Sequence, residues 1–263
     1  MKKLFKNIIK KTVNNLGYEI SKTEAFNKAI INKNVKINTF SKKNLLDNFF
    51  SILINQNYHP ETIYDIGANK GTWTSECLKY FPNASYYLFE PQIDLKDDIN
   101  ALLKDYKNVH LFSVGLGEVN DVFKFTIHDR DDSCSYSFSE EEAKTRGFKQ
   151  IELPIVRLDS FAKDNKLKLP NILKIDAEGL DLKVLKGAEG VLQDVEIIMV
   201  EVAIVNHRME NTALNILNYL NGKGFKLFEI TDINRPFENK VLWLCEFVFI
   251  KKEGVLDKNY SQI

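Results

Sequence analysis

Three carboxylates lie at or near the ends of apolar runs in this chain, and that placement is where its chemistry should be sought. The run Ile63-Tyr64-Asp65-Ile66 passes into Gly67-Ala68-Asn69-Lys70-Gly71-Thr72-Trp73; Tyr86-Tyr87-Leu88-Phe89 ends in Glu90-Pro91-Gln92; Ile172-Leu173-Lys174-Ile175 ends in Asp176-Ala177-Glu178-Gly179. Short β-branched and aromatic runs closed by glycine read as buried parallel strands turning into helices. Ligands of open α/β sheets bind outside the carboxyl ends of the strands, so Asp65, Glu90 and Asp176 are expected to converge on one rim. There Glu90 is placed to accept both hydroxyls of a ribose, Asp65 to hold an ammonium group, and Gly67 and Gly71 to let a polar ligand approach the backbone. A nucleoside cofactor is the chemistry this pattern predicts.

The glycine spacing selects among such cofactors. A dinucleotide fingerprint needs glycine at 67, 69 and 72, where the chain has Gly67, Asn69 and Thr72, so a nicotinamide oxidoreductase is disfavoured. S-adenosylmethionine has no pyrophosphate and does not need the missing glycines. Its expected contacts are Asp65, Gly67, Ala68, Asn69, Gly71, Thr72, Trp73, Glu90, Pro91, Gln92 and Asp176. The turn Gly115-Leu116-Gly117-Glu118 is expected to lie along the adenine, and Ser135 belongs to a polar stretch, 129–137, read as an active-site loop. A second strand-end acid, Glu201, and His207 in the loop after it join Asp176 and Glu178 as candidate bases; Asp176 and His207 are favoured, with Glu201 third. Asp176 and Glu201, with Asp131 or Asp132, offer oxygen ligands of the kind Mg²⁺ takes, although no compact metal motif is present.

The elements needed to position these groups follow in order. A helix is expected over 44–54, then β-α-β-α-β from 62 to 114, an added strand at 123–128, a strand at 152–157 with a short helix after it, a strand and helix from 172, a buried strand at 196–202, a helix at 212–223, and strands at 225–230 and 242–251 close enough to pair antiparallel. With 263 residues, 44% hydrophobic and 11% aromatic, one catalytic α/β domain accounts for most of the chain. Three scattered cysteines, Cys77, Cys134 and Cys245, exclude a disulfide framework or a CxxC zinc site and point to a reducing cytoplasm.

The formal charge is zero but uneven: residues 1–43 hold eleven lysines and two glutamates. Leu4, Phe5, Ile8, Ile9, Val13 and Leu16 fall near one helical face, with lysines on the other, so this is a basic amphipathic helix rather than a signal peptide or membrane span. Two readings stay open: packing on the domain or a second subunit, or lying on an anionic membrane at the inner face. Nucleic acid is excluded as a partner by the acidic body and the absence of arginine in the basic segment. The expected division is a basic helical extension at 1–58, a catalytic domain at 59–254 and a tail at 255–263.

The segments together resemble class I S-adenosylmethionine-dependent methyltransferases, and among them the FkbM type. The resemblance rests on Asp65-Ile66-Gly67-Ala68-Asn69-Lys70-Gly71, Phe89-Glu90-Pro91, Arg157-Leu158-Asp159-Ser160-Phe161, and Leu173-Lys174-Ile175-Asp176-Ala177-Glu178-Gly179 with Val184-Leu185-Lys186-Gly187-Ala188. Asp181 departs from it, since the family more often has Glu there. The resemblance implies a Rossmann-like seven-stranded mixed sheet with one antiparallel strand, helices on both faces, and O-methylation of a sugar or glycan hydroxyl in polysaccharide or glycoconjugate synthesis. The alternatives are a small non-sugar metabolite as acceptor, or a catalytically silent scaffold that keeps the fold.

Overall fold

The computed structural model describes residues 44–92, 96–127, 139–205 and 210–260. The basic segment, Asp131, Asp132, Ser135 and His207 lie outside the described residues.

The first element, α1 (Leu45–Asn55), starts at Asn44, whose side chain accepts from the backbone N–H of Asp47. Then come β1 (Thr62–Ile66), α2 (Thr72–Leu78), β2 (Ser85–Phe89), α3 (Lys96–Asp105) and β3 (Val109–Phe112). A small sheet follows, built from β4 (Gly115–Leu116), β5 (Asp121–Ile127) and β6 (Lys149–Val156), with α4 (Glu140–Arg146) between β5 and β6. The chain continues through α5 (Leu158–Asp164), β7 (Ile172–Ile175), α6 (Asp181–Gly187), β8 (Ile197–Ala203), α7 (Ala213–Gly222), β9 (Phe225–Asn234), β10 (Leu244–Lys251) and α8 (Val255–Tyr260).

Seven strands form the main sheet in the order β3-β2-β1-β7-β8-β10-β9. Neighbours from β3 to β8 run parallel, and β10 alone is reversed, antiparallel to both β8 and β9. The expected doubly covered, mixed α/β sheet is therefore present. Alternation along the strands divides the core. Ile63, Ile172, Ile197 and Ile250 face the layer carrying Phe49, Phe50 and Leu53 of α1, Cys77 of α2, Ile99 of α3 and Leu256 of α8. Tyr64, Leu173, Ile198 and Val200 face Ala162 of α5, Val184 and Leu185 of α6, and Ile216 and Leu220 of α7. Each such fully buried side chain contributes roughly 1.5–3 kcal/mol, so α1 and α8 are integral to the compact unit that holds the main sheet.

The small sheet and α4 were not legible as a unit. β4 pairs parallel and β5 antiparallel with β6, and α4 opens on a capping box between Ser139 and Glu142 and closes at Gly147 with φ 74°. That Ser-x-x-Glu spacing is the local signal for the helix. The arginine signature ties the end of β6 to the start of α5 and to the turn after β4. Arg157 Nε and Nη2 donate to Asp159 at 3.0 and 2.5 Å, while Nη1 donates to the Glu118 carbonyl at 2.8 Å. A side chain at Gly187 would place Cβ 1.9 Å from the Gly117 carbonyl oxygen, so α6 seats directly under the 115–118 turn. This motif holds the turn in place and does not face the site.

Candidate active site

A cavity of about 900 Å³ opens along the carboxyl edge of the main sheet, near the top of the range usual for small-molecule sites and large enough for a cofactor with an acceptor. One half is walled by the β1–α2 turn (Gly67, Ala68, Asn69, Thr72, Trp73), the end of β2 (Glu90, Pro91, Gln92) and Gly115 and Leu116 of β4. The other half is walled by Lys174 of β7, Asp176 and Glu178 after it, Glu201 of β8, Thr231 and Asp232 of β9, Glu246 of β10 and the first residues of α1.

Glu90 is almost fully buried, and its two oxygens accept the backbone N–H of Asn69 and of Gln92, each at 2.8 Å. Burial pushes its carboxyl above the usual range, and the two amides pull against that. Two bonds leave lone pairs unused on a fixed carboxylate that faces the cavity. Asn69 reaches its position with φ 48°. Trp73 lines the same half, and its buried Nε1 has no acceptor among the described residues.

The expected roles of Asp65 and Gly71 need correction. Asp65 is fully buried and does not line the cavity. It accepts from Thr74 Oγ1 at 2.6 Å, and Lys174 Nζ lies 3.6 Å from its other oxygen. It sits opposite Lys174 in the β1–β7 register, one row behind the rim, so its charge is spent inside the sheet instead of on a ligand. Gly71 also stays off the cavity: with φ 74°, a Cβ there would meet Leu102 Cδ1 of α3 at 2.6 Å. Gly67 does line the cavity, but what demands glycine is the Asp176 carbonyl oxygen, 1.8 Å from where its Cβ would stand.

The remaining acids form a row across four strands. Glu246 pairs with Glu201 on one side and Asp232 on the other; Asp176 follows Ile175, whose β8 partner is Val200, which places it beside Glu201. The row behind is Asp65, Lys174, Met199 and Val248. Lys174 Nζ reaches forward to Asp176 Oδ2 at 3.2 Å and sideways to Asp65. Burial works against the ammonium, but Asp176, Asp65 and Glu246 outweigh it and hold Lys174 above the ordinary lysine range. Glu201 is pushed far above the carboxylate range by burial and by Asp176, Asp181 and Glu178 around it. Glu246 rises to about 7 through burial while Thr231 Oγ1 donates to it at 2.5 Å.

Asp181, the departure from the family pattern, braces this edge. Its carboxylate accepts from the backbone N–H of Ala177 at 2.9 Å and of Gly179 at 3.2 Å, and from Asn211 Nδ2 at 2.8 Å. A short acid suffices because the loop after β7 folds back onto the start of α6. Burial raises it to about 7.

Among the expected residues, Gly67, Ala68, Asn69, Thr72, Trp73, Glu90, Pro91, Gln92, Gly115, Leu116, Asp176 and Glu201 line one cavity. Lys174, Asp232 and Glu246 were missed, and of these Lys174, a lysine inside an otherwise apolar strand, carries the local signal that could have found it. Mg²⁺ does not fit: among the described residues no three His, Cys, Asp or Glu side chains form a metal-binding group, and an ammonium already sits on Asp176. No described helix is long and apolar enough to cross a membrane.

The methyltransferase FkbM domain model matches residues 65–227. Hexuronic acid methyltransferase AglP of Haloferax volcanii is 24% identical over 152 residues, 57% of this chain and 59% of that protein, so the chain spans well under two thirds of that relative's length. Solved structures similar to it include an FkbM methyltransferase from Methylobacillus flagellatus KT (TM-score 0.48, 14% identity, 72% of this chain and 43% of that one) and a precorrin-6y C5,15-methyltransferase from Geobacter metallireducens GS-15 (TM-score 0.44, 14% identity, 81% and 93%). The family match covers more than half of the chain and includes the turn after β1, Glu90 and the acidic ends of β7 and β8: the protein belongs to the FkbM methyltransferase domain family.

Proposed function

We propose that the chain is an S-adenosylmethionine-dependent O-methyltransferase acting on a hydroxyl of a sugar or glycan. The observation that carries this is the division of one cavity into two chemically different halves: a fixed carboxylate beside exposed backbone turns, and a carboxylate row anchored by a buried lysine. The first half suits a nucleoside, with Glu90 toward the ribose hydroxyls and Gly115 and Leu116 along the base. The second suits a hydroxyl donor. The hexuronic acid methyltransferase relative supports a sugar as acceptor.

When bound, S-adenosylmethionine supplies an activated methyl group, and the protein's task is alignment and proton removal. Asp176 stands at the end of β7, its side chain 39% exposed and fixed by Lys174. One Asp176 oxygen is placed to take the proton that the acceptor's hydroxyl gives up. Glu201, whose carboxyl is pushed upward by burial and by the acids around it, is suited to donate a hydrogen bond to an acceptor oxygen and fix the ring beside Asp176.

Incubating the purified chain with methyl-labelled S-adenosylmethionine and a panel of sugars and oligosaccharides should label a sugar oxygen. Absence of cofactor binding by calorimetry would refute the enzyme reading. Binding with label passing only to non-sugar hydroxyls would refute the acceptor class.

A further inference from the structure

The hairpin joining β9 to β10 leaves the sheet at the same edge as the cavity, because Leu244 lies opposite Ala203 at the carboxyl end of β8. Its last ladder pair, Asn234 with Leu244, lines the cavity wall. The tip beyond that pair is fixed by its own bonds: Trp243 N–H donates to the Asn234 carbonyl at 2.9 Å, Lys240 N–H to the Phe237 carbonyl at 3.0 Å, and Arg235 Nη1 to the Lys240 carbonyl at 2.7 Å. On this frame Phe237 and Trp243 meet edge to face, with centroids 5.0 Å apart and planes at 86°. Phe237, three residues beyond the cavity-lining Asn234, remains 44% exposed.

An aromatic ring kept in water at the lip of a cavity, with the carboxylate of Asp232 at the hairpin's root, matches one ligand chemistry well. A pyranose presents an apolar face of C–H groups that packs on an aromatic ring, and a rim of hydroxyls that donate to carboxylates. We propose that this hairpin is an acceptor subsite: Phe237 and Trp243 form a platform for the sugar unit adjoining the one whose hydroxyl is methylated, while Asp232, inside the cavity at the hairpin's root, accepts from hydroxyls of the unit seated there. This rests on the sugar-acceptor reading and adds that the acceptor is an oligomer. The platform lies outside the cavity, past its last lining pair, so a single sugar seated against Asp176 does not reach it, whereas a chain extending out of the mouth passes over it.

The test uses the full chain with a ladder of neutral oligosaccharides of one to six units from the acceptor series labelled above, or, without turnover, saturation-transfer NMR with the same ladder. The wild type should gain affinity once a second or third unit is present. Phe237→Ala should lose about tenfold in KM or Kd for the longer members, leave the monosaccharide unchanged and keep cofactor affinity within twofold. Trp243→Ala should do the same, and Trp243→Phe should restore most of the loss; Phe237→Ala, at an exposed position, answers the question even if Trp243→Ala fails to fold. Equal affinity for short and long acceptors in wild type and variant would overturn the subsite while leaving sugar methylation intact, whereas absence of any sugar binding would overturn both. Loss in Phe237→Ala of sedimentation with anionic vesicles, or of a dimer in light scattering, without loss of oligosaccharide affinity would overturn it in favour of a membrane or a second copy.

Discussion

Replacing Lys174 by methionine removes the only cation that lines the cavity among the described residues and leaves a chain of similar length in its place, so little volume is lost. The cost is therefore electrostatic. Asp176 is partly exposed and rehydrates, but Asp65 is fully buried and keeps only the Thr74 hydroxyl. At 3.6 Å the lost attraction is about 4–5 kcal/mol for an effective dielectric of about 20, and removing one member of a buried pair costs roughly 3–5 kcal/mol in practice. The sign of the pH dependence follows from Asp65. Burial already raises its carboxyl above the ordinary aspartate range, with Lys174 the largest influence holding it down. Without the lysine its folded midpoint climbs further above the unfolded one, so between the two the folded state binds more protons and stability falls as pH rises. Urea unfolding should show Lys174→Met destabilised by about 3–5 kcal/mol at pH 8 and by clearly less at pH 5, and Asp65→Asn in the same background should recover part of the loss. A cost below about 1 kcal/mol, or one that does not change between pH 5 and 8, would refute the account of Lys174 as the counter-charge of a buried aspartate.

Glu90→Ala should weaken S-adenosylmethionine binding by about 1–3 kcal/mol in calorimetry, because it removes a charged acceptor and frees the Asn69 and Gln92 amides. Gly67→Ala should lose about 2–5 kcal/mol in thermal or urea unfolding, combining a positive φ with a Cβ inside the Asp176 carbonyl. Glu201→Gln mimics the protonated side chain. Since the wild-type folded midpoint lies above the unfolded one, wild-type stability falls as pH rises between them, and the variant should be the more stable by over about 1.4 kcal/mol at pH 8 with the difference closing toward pH 4. Asp176→Asn should cut kcat by about 10²-fold or more while cofactor affinity stays within threefold; the reverse split would reassign it to binding.

What was legible in the sequence is what local patterning controls. Each strand that ends the βα units announces itself by a β-branched or aromatic run and a glycine or acid at its end, and the parallel-sheet rule then places Glu90, Asp176 and Glu201 on one rim. Asp65 shows where that logic stops. A strand alternates faces every residue, so whether a carboxylate near its end opens into the cavity or turns into the layer beneath depends on one residue of register and on the neighbouring strand; here the neighbour brings Lys174, far along the chain, to Asp65. Glu246 and Asp232 were illegible as site residues for a related reason. β10 is inserted antiparallel between β8 and β9, and only that pairing carries the middle of an apolar C-terminal run to the rim. The helix α1 fell outside the expected domain because the basic charge preceding it masks an apolar face that Phe49, Phe50 and Leu53 bury.

The rows of the sheet on the α1 side, taken from the middle of the strands outward, explain why stability and chemistry are joined here. Ile63, Ile172, Ile197 and Ile250 form an apolar row; the next row is Asp65, Lys174, Met199 and Val248; the last is Asp176, Glu201, Glu246 and Asp232. Carboxylates in the outer row keep partial access to the cavity. Asp65, a row deeper, is out of reach of water, so the fold supplies an ammonium: of its two partners in that row, β2 offers Leu88 and β7 offers Lys174. That same ammonium then reaches Asp176 at 3.2 Å and sets its orientation. A fully apolar second row would pack at least as well, but it would leave Asp176 with no fixed partner at the end of β7. The buried pair is thus a cost of folding that positions the proposed base, and changes that relieve it should gain stability only where they lose turnover.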